Sequence, residues 1–175
     1  MEILISKLVS TDKDDLLNFI KKQNLDDHFL FTRWKDVINS PEKLLDIAEN
    51  ECNLSQKVGL RIIGRSSIGE ICAFGLIDFF SQKEKKHVAL VGTIVDKEFR
   101  QKGIGKQMLK EEIYQSELHH KSKIRASAHE HNIASIKLHK SLGFIEEGKF
   151  IAEEFNGKFL NVVSMALFVD SNLVQ

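Results

Sequence analysis

The residues best suited to do chemistry lie in two short segments. The first, Arg100-Gln101-Lys102-Gly103-Ile104-Gly105, follows an apolar run from Val88 to Val95 and opens a helical pattern. A strand, then a glycine-rich turn, then a helix is an order that suits a pyrophosphate. Gly103 and Gly105 lack a Cβ, so the backbone turns sharply and brings its N–H groups up to phosphate oxygens. The first turn of the helix adds unpaired N–H donors and the positive end of its dipole. Arg100, Lys102 and Lys106 place charge around the same spot. A plain turn with a solvated basic rim has similar residues, so this motif does not decide the matter alone. The second segment runs from Asn132 to Phe144, and Asn132, Ser135 and His139 share one face of its helix. Leu138 and Leu142 line the neighbouring side. A polar stripe beside a buried one is what a helix flanking a ligand channel requires. Capping is the alternative role for Asn132, and packing the alternative for His139.

These segments need a scaffold, and the periodicity supplies one. Glu2–Val9 reads as a strand, followed by Thr11 or Asp12 as an N-cap and a helix with Leu16, Leu17 and Ile20 on one face. Phe29, Phe31 and Trp34 load the next stretch with aromatics, and Pro41 opens a helix striped by Leu44, Leu45, Ile47 and Ala48. Lys57–Gly64 and Glu70–Phe80 are strands joined by a turn at Arg65–Gly69, and His87–Val95 is a third. Ile104–Leu118 is a helix, with Ile104, Met108, Leu109 and Ile113 at helical spacing. Lys123–Ala128 is a strand, Asn132–Leu142 a helix and Phe144–Ala152 a strand. Asn156-Gly157 marks a hairpin before the last strand, Phe159–Phe168. The order implies a single α/β domain over residues 1–175, with a mixed sheet.

Composition narrows the class. A 175-residue chain that is 42% hydrophobic and 29% charged is that of a globular protein with a real core. Its 25 basic and 25 acidic side chains cancel, so no basic excess points to nucleic acid. The longest apolar run, Ile71–Phe80, is too short to span a bilayer and is broken by Asp78. No basic region precedes an apolar stretch at Met1-Glu2-Ile3, so no secretory signal is expected. Two cysteines, Cys52 and Cys72, form neither a disulfide framework nor a metal pattern, which fits a reducing cytoplasm. His119-His120 and His129-x-His131 lack carboxylate and thiol partners arranged for a metal.

Taken together, Arg100–Gly105 and Asn132–Phe144 resemble the GNAT N-acetyltransferase superfamily. Its loop reads Arg/Gln-x-x-Gly-x-Gly/Ala, and its later motif reads Asn-x-x-Ala/Ser-x-x-Leu-Tyr/His-x-x-x-Gly-Phe. The resemblance is most specific from Val88 to Phe168, with the cofactor motifs inside 88–144. Leu138-His139 and Gly157–Val163 look most like the phosphinothricin and methionine-sulfone acetyltransferase branch. It implies a mixed, mostly antiparallel sheet flanked by helices, and acetyl-CoA as acyl donor for a primary amine.

The same resemblance implies roles for individual residues. Arg100, Gln101, Lys102, Gly103, Ile104, Gly105 and Lys106 would hold the diphosphate. Backbone groups near Ile94 and Val95, in a strand splayed from its neighbour, would meet the pantetheine arm and support the oxyanion. Asn132 and Ser135 would lie beside that arm. His139 stands where many members carry a tyrosine near the thioester sulfur. With a thiol near ~8.5 and histidine near ~6.5, imidazolium would protonate the departing thiolate. The strand glutamate common in the branch falls at Leu90, leaving His87, Asp78 and Glu84 as nearby candidates for a base. The aromatic group of Phe29, Phe31 and Trp34 lies where members build the acceptor pocket. No serine or cysteine nucleophile is marked out, so direct attack in a ternary complex is expected. A ribosomal-protein type N-terminal acetyltransferase and a non-catalytic acyl-CoA module are the alternatives. Homodimers are frequent in the resembling branch.

Overall fold

The computed structural model describes residues 1–23, 57–80, 82–155 and 158–169. One seven-stranded sheet runs through them. Its strands are β1 (Leu4–Lys7), β2 (Lys57–Arg65), β3 (Ile71–Phe80), β4 (Val88–Val95), β5 (Lys123–His129), β6 (Ile145–Phe155) and β7 (Lys158–Phe168), in the order β1-β2-β3-β4-β5-β7-β6. All neighbours are antiparallel except β4 and β5. Among the described residues three helices flank it: α1 (Lys13–Lys22), α2 (Ile104–Leu118) and α3 (Ile133–Ser141).

Alternation along each strand sorts side chains between two apolar layers. On one side Ile63, Phe74 and Ile94 meet Leu16, Phe19 and Ile20 of α1. Their neighbours point the other way: Ile62, Ala73 and Val95 pack with Ile104 and Met108 of α2. Further along the same face, Ile77, Val91, Ile124 and Val163 join Leu109 with Ile136 and Leu138 of α3. Phe74 is fully buried, and removing such a side chain from water contributes about 1.5–3 kcal/mol.

The observed elements track the sequence pattern, with local differences. The first strand shortens to Leu4–Lys7 because residues 10–12 wind into a 3₁₀ turn. Asp12 stands at the N-cap of α1 without capping it: its carboxylate accepts from the Val9 N–H at 2.9 Å and pairs with Arg65 at 2.7 Å. Phe19 joins Leu16 and Ile20 on the buried face, while Leu17 is half-buried. Phe155 pairs with Lys158, as a two-residue hairpin connection requires. Residues Asn156 and Gly157, the aromatic group at 29–34 and the helix expected from Pro41 lie outside the described residues. No helix among the described residues is long and apolar enough to cross a membrane.

Candidate active site

The site begins where two strands part. β4 and β5 pair only at Val88↔Lys123, Ala89↔Ile124 and Leu90↔Arg125. Beyond these, β4 stays with β3 as far as Ala73↔Val95, and β5 stays with β7 as far as His129↔Val162. The gap between them therefore widens towards the C-terminal ends of both strands.

Ladder geometry says which backbone groups face that gap. Asp96 donates its N–H to Cys72 at 2.9 Å, so by antiparallel alternation Ile94 and Gly92 also spend their polar groups on β3. Val91 still spends its N–H on β5 at the last parallel pair, and beyond it Thr93 and Val95 turn N–H and C=O into the gap. On the far side Glu130 donates to Asn161 and Val169 to Ser122, which turns Ser127 inward by the same alternation. Ile94 borders the cleft, but its backbone pairs with Phe74 and its side chain, 2% exposed, sits in the α1 layer.

At the wide end the chain makes the expected turn. Asp96 caps a short 3₁₀ turn by accepting from the Glu98 N–H at 2.9 Å. Gln101 has φ 61° and Gly103 φ 80°, and Gly103 is the N-cap of α2. Glycine suits that left-handed corner, where a Cβ is strained. Gly105 matters for space instead: a Cβ there would stand 3.3 Å from Leu138 of α3 and 3.7 Å from Val95. Arg100 ties the turn to the strand, its Nε donating to the Val95 carbonyl at 3.1 Å.

A cleft of about 490 Å³ joins these parts. Ile94, Val95, Arg100, Gln101, Gly103, Gly105 and Lys106 border it on the β4–α2 side, and Asn132, Ser135 and His139 on the α3 side. Two expected residues stand apart. Lys102 curls back, donating to the Glu98 carbonyl at 2.8 Å with its ammonium over the Phe99 ring, and Ile104 is 1% exposed in the core. Their side chains are not part of the lining. Ser127 and Ala128 of β5 are, and the sequence reading missed them for want of any signal beyond strand alternation.

The α3 wall is locally determined. Asn132 accepts from the Ser135 N–H at 3.1 Å, so the helix cap is present. At the other end Gly143 has φ 91°, and the Gly143 and Phe144 N–H groups donate to the Lys140 and His139 carbonyls. That Schellman closure brings Phe144 edge-on to the His139 ring, centroids 5.0 Å apart. His139 is 9% exposed. Its Nδ1–H donates to the Ser135 carbonyl at 2.8 Å, which leaves Nε2 as the lone-pair nitrogen. Burial pushes the ring below its ordinary 6.5, with the bond to Ser135 pulling back. A ring held below 6.5 is mostly neutral at pH 7 and gains its proton only in more acidic solution or from a reacting group. It also cannot activate Ser135: Oγ lies 3.4 Å from an Nδ1 already spent as a donor.

The candidates for a base divide differently. Asp78 lies directly across from Leu90, but its carboxylate is paired with Arg61 at 2.9 Å in a buried ion pair. Glu84 and His87 are exposed. None of these borders the cleft. The sequence reading also passed over Glu112. It is fully buried on α2, accepts the Thr93 hydroxyl at 2.8 Å, and is pushed up to about 8 by burial, against the pull of that hydrogen bond. Its signal was its spacing, since Met108, Glu112 and Ser116 recur every four residues on the buried face.

A splayed strand pair with edge N–H and C=O groups turned into its gap, a tight turn at a helix N-terminus and small residues along both walls fit an extended thioester cofactor. Comparison with known proteins agrees. Residues 25–144 match the model of the acetyltransferase (GNAT) family, and the chain belongs to that family. It is an acetyl-CoA-dependent N-acetyltransferase. Among curated relatives it is 32% identical over 123 residues to the spermine/spermidine N(1)-acetyltransferase of Bacillus subtilis strain 168, covering 69% of this chain and 77% of that protein. Among solved structures it shares its fold with a GNAT-family acetyltransferase from Streptococcus pneumoniae, at TM-score 0.83 and 18% identity over 97% of this chain and 100% of that one. A phosphinothricin acetyltransferase from Sinorhizobium meliloti, solved with acetyl-CoA, overlays at TM-score 0.76 and 18% identity, over 96% of this chain and 89% of that one.

Proposed function

We propose that this enzyme acetylates a primary amine of a small aliphatic polyamine by direct attack in a ternary complex, with His139 carrying the proton. The observation that carries the reading is the neutral, Nε2-accepting His139 in the wall of the cleft. Bound there, acetyl-CoA supplies an activated acetyl group. The Gly103–Gly105 turn and the α2 N-terminus hold its diphosphate, and the Val95 N–H and Ser127 backbone groups meet the pantetheine arm. Thr93 donates its N–H to the acyl oxygen. The amine reacts as its free base, its ammonium proton having passed to solvent; as its nitrogen bonds to the acyl carbon and the C–S bond breaks, Nε2 takes the second amine proton and returns it to sulfur. Histidine therefore starts and ends the cycle neutral, as its burial favours.

Two observations support a polyamine. The curated relatives are a spermine/spermidine N(1)-acetyltransferase and a probable spermine N(1)-acetyltransferase. Phe29, Phe31 and Trp34, where the resemblance implies the acceptor pocket, lie in a stretch, 24–56, that carries seven acidic and three basic side chains, which suits a polycation. Steady-state release of CoA with spermidine, spermine, phosphinothricin and an alanine-terminated peptide tests this. Turnover of the polyamines ahead of the others is expected. A preference for the peptide, or acetyl-CoA binding with no turnover of any amine, would refute it.

A further inference from the structure

Glu112 is a fully buried carboxyl that takes no part in the proposed proton transfer. Gly75, Thr93 and Glu112 form a unit directly behind the strand edge that faces the cleft. Gly75 and Thr93 are cross-strand partners on β3 and β4. The Glu112 carboxyl fills the notch that glycine leaves, where a Cβ at position 75 would stand 2.5 Å from its Oε1. Oε1 accepts the Thr93 hydroxyl at 2.8 Å, and Oε2 has no hydrogen-bond partner among the described residues. The Thr93 side chain is thus gripped from the α2 side while its backbone N–H faces the gap.

We propose that Glu112 is a positioning residue for acyl transfer, fixing Thr93 through the hydroxyl bond so that the Thr93 N–H is aimed at the thioester oxygen. The carboxyl suits that place only while protonated. An ionised Glu112 would set an uncompensated charge just behind the donor that must meet a developing negative oxygen, in surroundings that screen it poorly. Among the described residues nothing nearby compensates it: the strand faces packed on α2 present Ile62, Ala73, Ile77, Val91 and Val95. Of the other ionisable groups on α2, Lys106, Lys110, Tyr114 and Glu117 are exposed and Glu111 is half-buried, while α3 contributes His139, which is neutral. Burial and the Thr93 bond are the causes acting on the Glu112 proton.

The inference rests on the proposed role of the Thr93 N–H, and its test needs no acceptor amine. Infrared difference spectra of carbonyl-¹³C acetyl-CoA bound to the full-length protein report how strongly that N–H polarises the thioester. At pH 7 the wild-type band should shift to lower wavenumber. Glu112→Leu and Thr93→Val should lose the shift, and Glu112→Gln, which keeps the accepting oxygen, should restore it. Raising the pH through 8 should weaken the wild-type shift and leave that of Glu112→Gln unchanged. Should Glu112→Leu not fold, Thr93→Val and the two pH series carry the test. A band that moves in the wild type and equally in Thr93→Val, or an identical pH response in wild type and Glu112→Gln, would overturn the positioning role. An unshifted band in the wild type would instead overturn the Thr93 donor.

Discussion

Replacing Glu112 by glutamine should make the protein more stable at neutral pH, although it alters a buried, hydrogen-bonded side chain. The native carboxyl is raised from 4.5 to about 8 by burial, so it holds its proton more tightly than the unfolded chain does. Between those values the native state binds more protons, and wild-type stability falls as pH rises. Its contribution is complete below 4.5 and is lost as the pH climbs through about 8. At about 1.4 kcal/mol per pH unit, protonating the group at pH 7 costs the native state roughly 3 kcal/mol. Glutamine keeps an acceptor for Thr93 without that cost. Urea denaturation at pH 4.5, 7 and 8.5 should show the variants nearly matched in acid and separated by roughly 3 kcal/mol at pH 7. For a chain of this size that is about 6–12 °C in Tm. A difference that stays flat across pH would show that Glu112 is not held as a neutral acid, and the reasoning would fail.

Gly103→Ala forces a side chain into a φ of 80° and should cost about 1–2 kcal/mol by denaturation, with acetyl-CoA affinity by calorimetry falling about tenfold or more. His139→Gln should lower kcat by roughly 10²–10⁴ while leaving acetyl-CoA affinity near wild type. Because burial depresses the His139 pKa, the wild-type kcat should hold as pH falls through 6.5 and decline only below it, which a pH–rate profile with spermidine checks. Asn132→Ala removes the α3 cap and should cost about 1 kcal/mol, whereas Asn132→Asp should retain it in the same denaturation assay. Arg61→Met leaves Asp78 buried without its partner and should destabilise by about 3–5 kcal/mol.

Much of this protein was legible in local pattern. The α2 helix appears at Ile104–Leu118 as its apolar spacing requires, and Asn132 and Gly143 bound α3 as their residue types demand. Short-range rules suffice there, because the partners lie within a few residues of one another. The glycine turn and the shared face of Asn132, Ser135 and His139 were equally plain. Three matters depended on residues far apart in the chain. Where the parallel pairing of β4 and β5 stops is set by the whole sheet, and that stop opens the cleft and leaves the Thr93 backbone, not that of Ile94, facing it. The charge on His139 follows from the density of packing around it, which residue type does not encode. Glu112 reads as an ordinary helical glutamate until Gly75 and Thr93, from two other segments, close over it and withhold the water that would let it ionise.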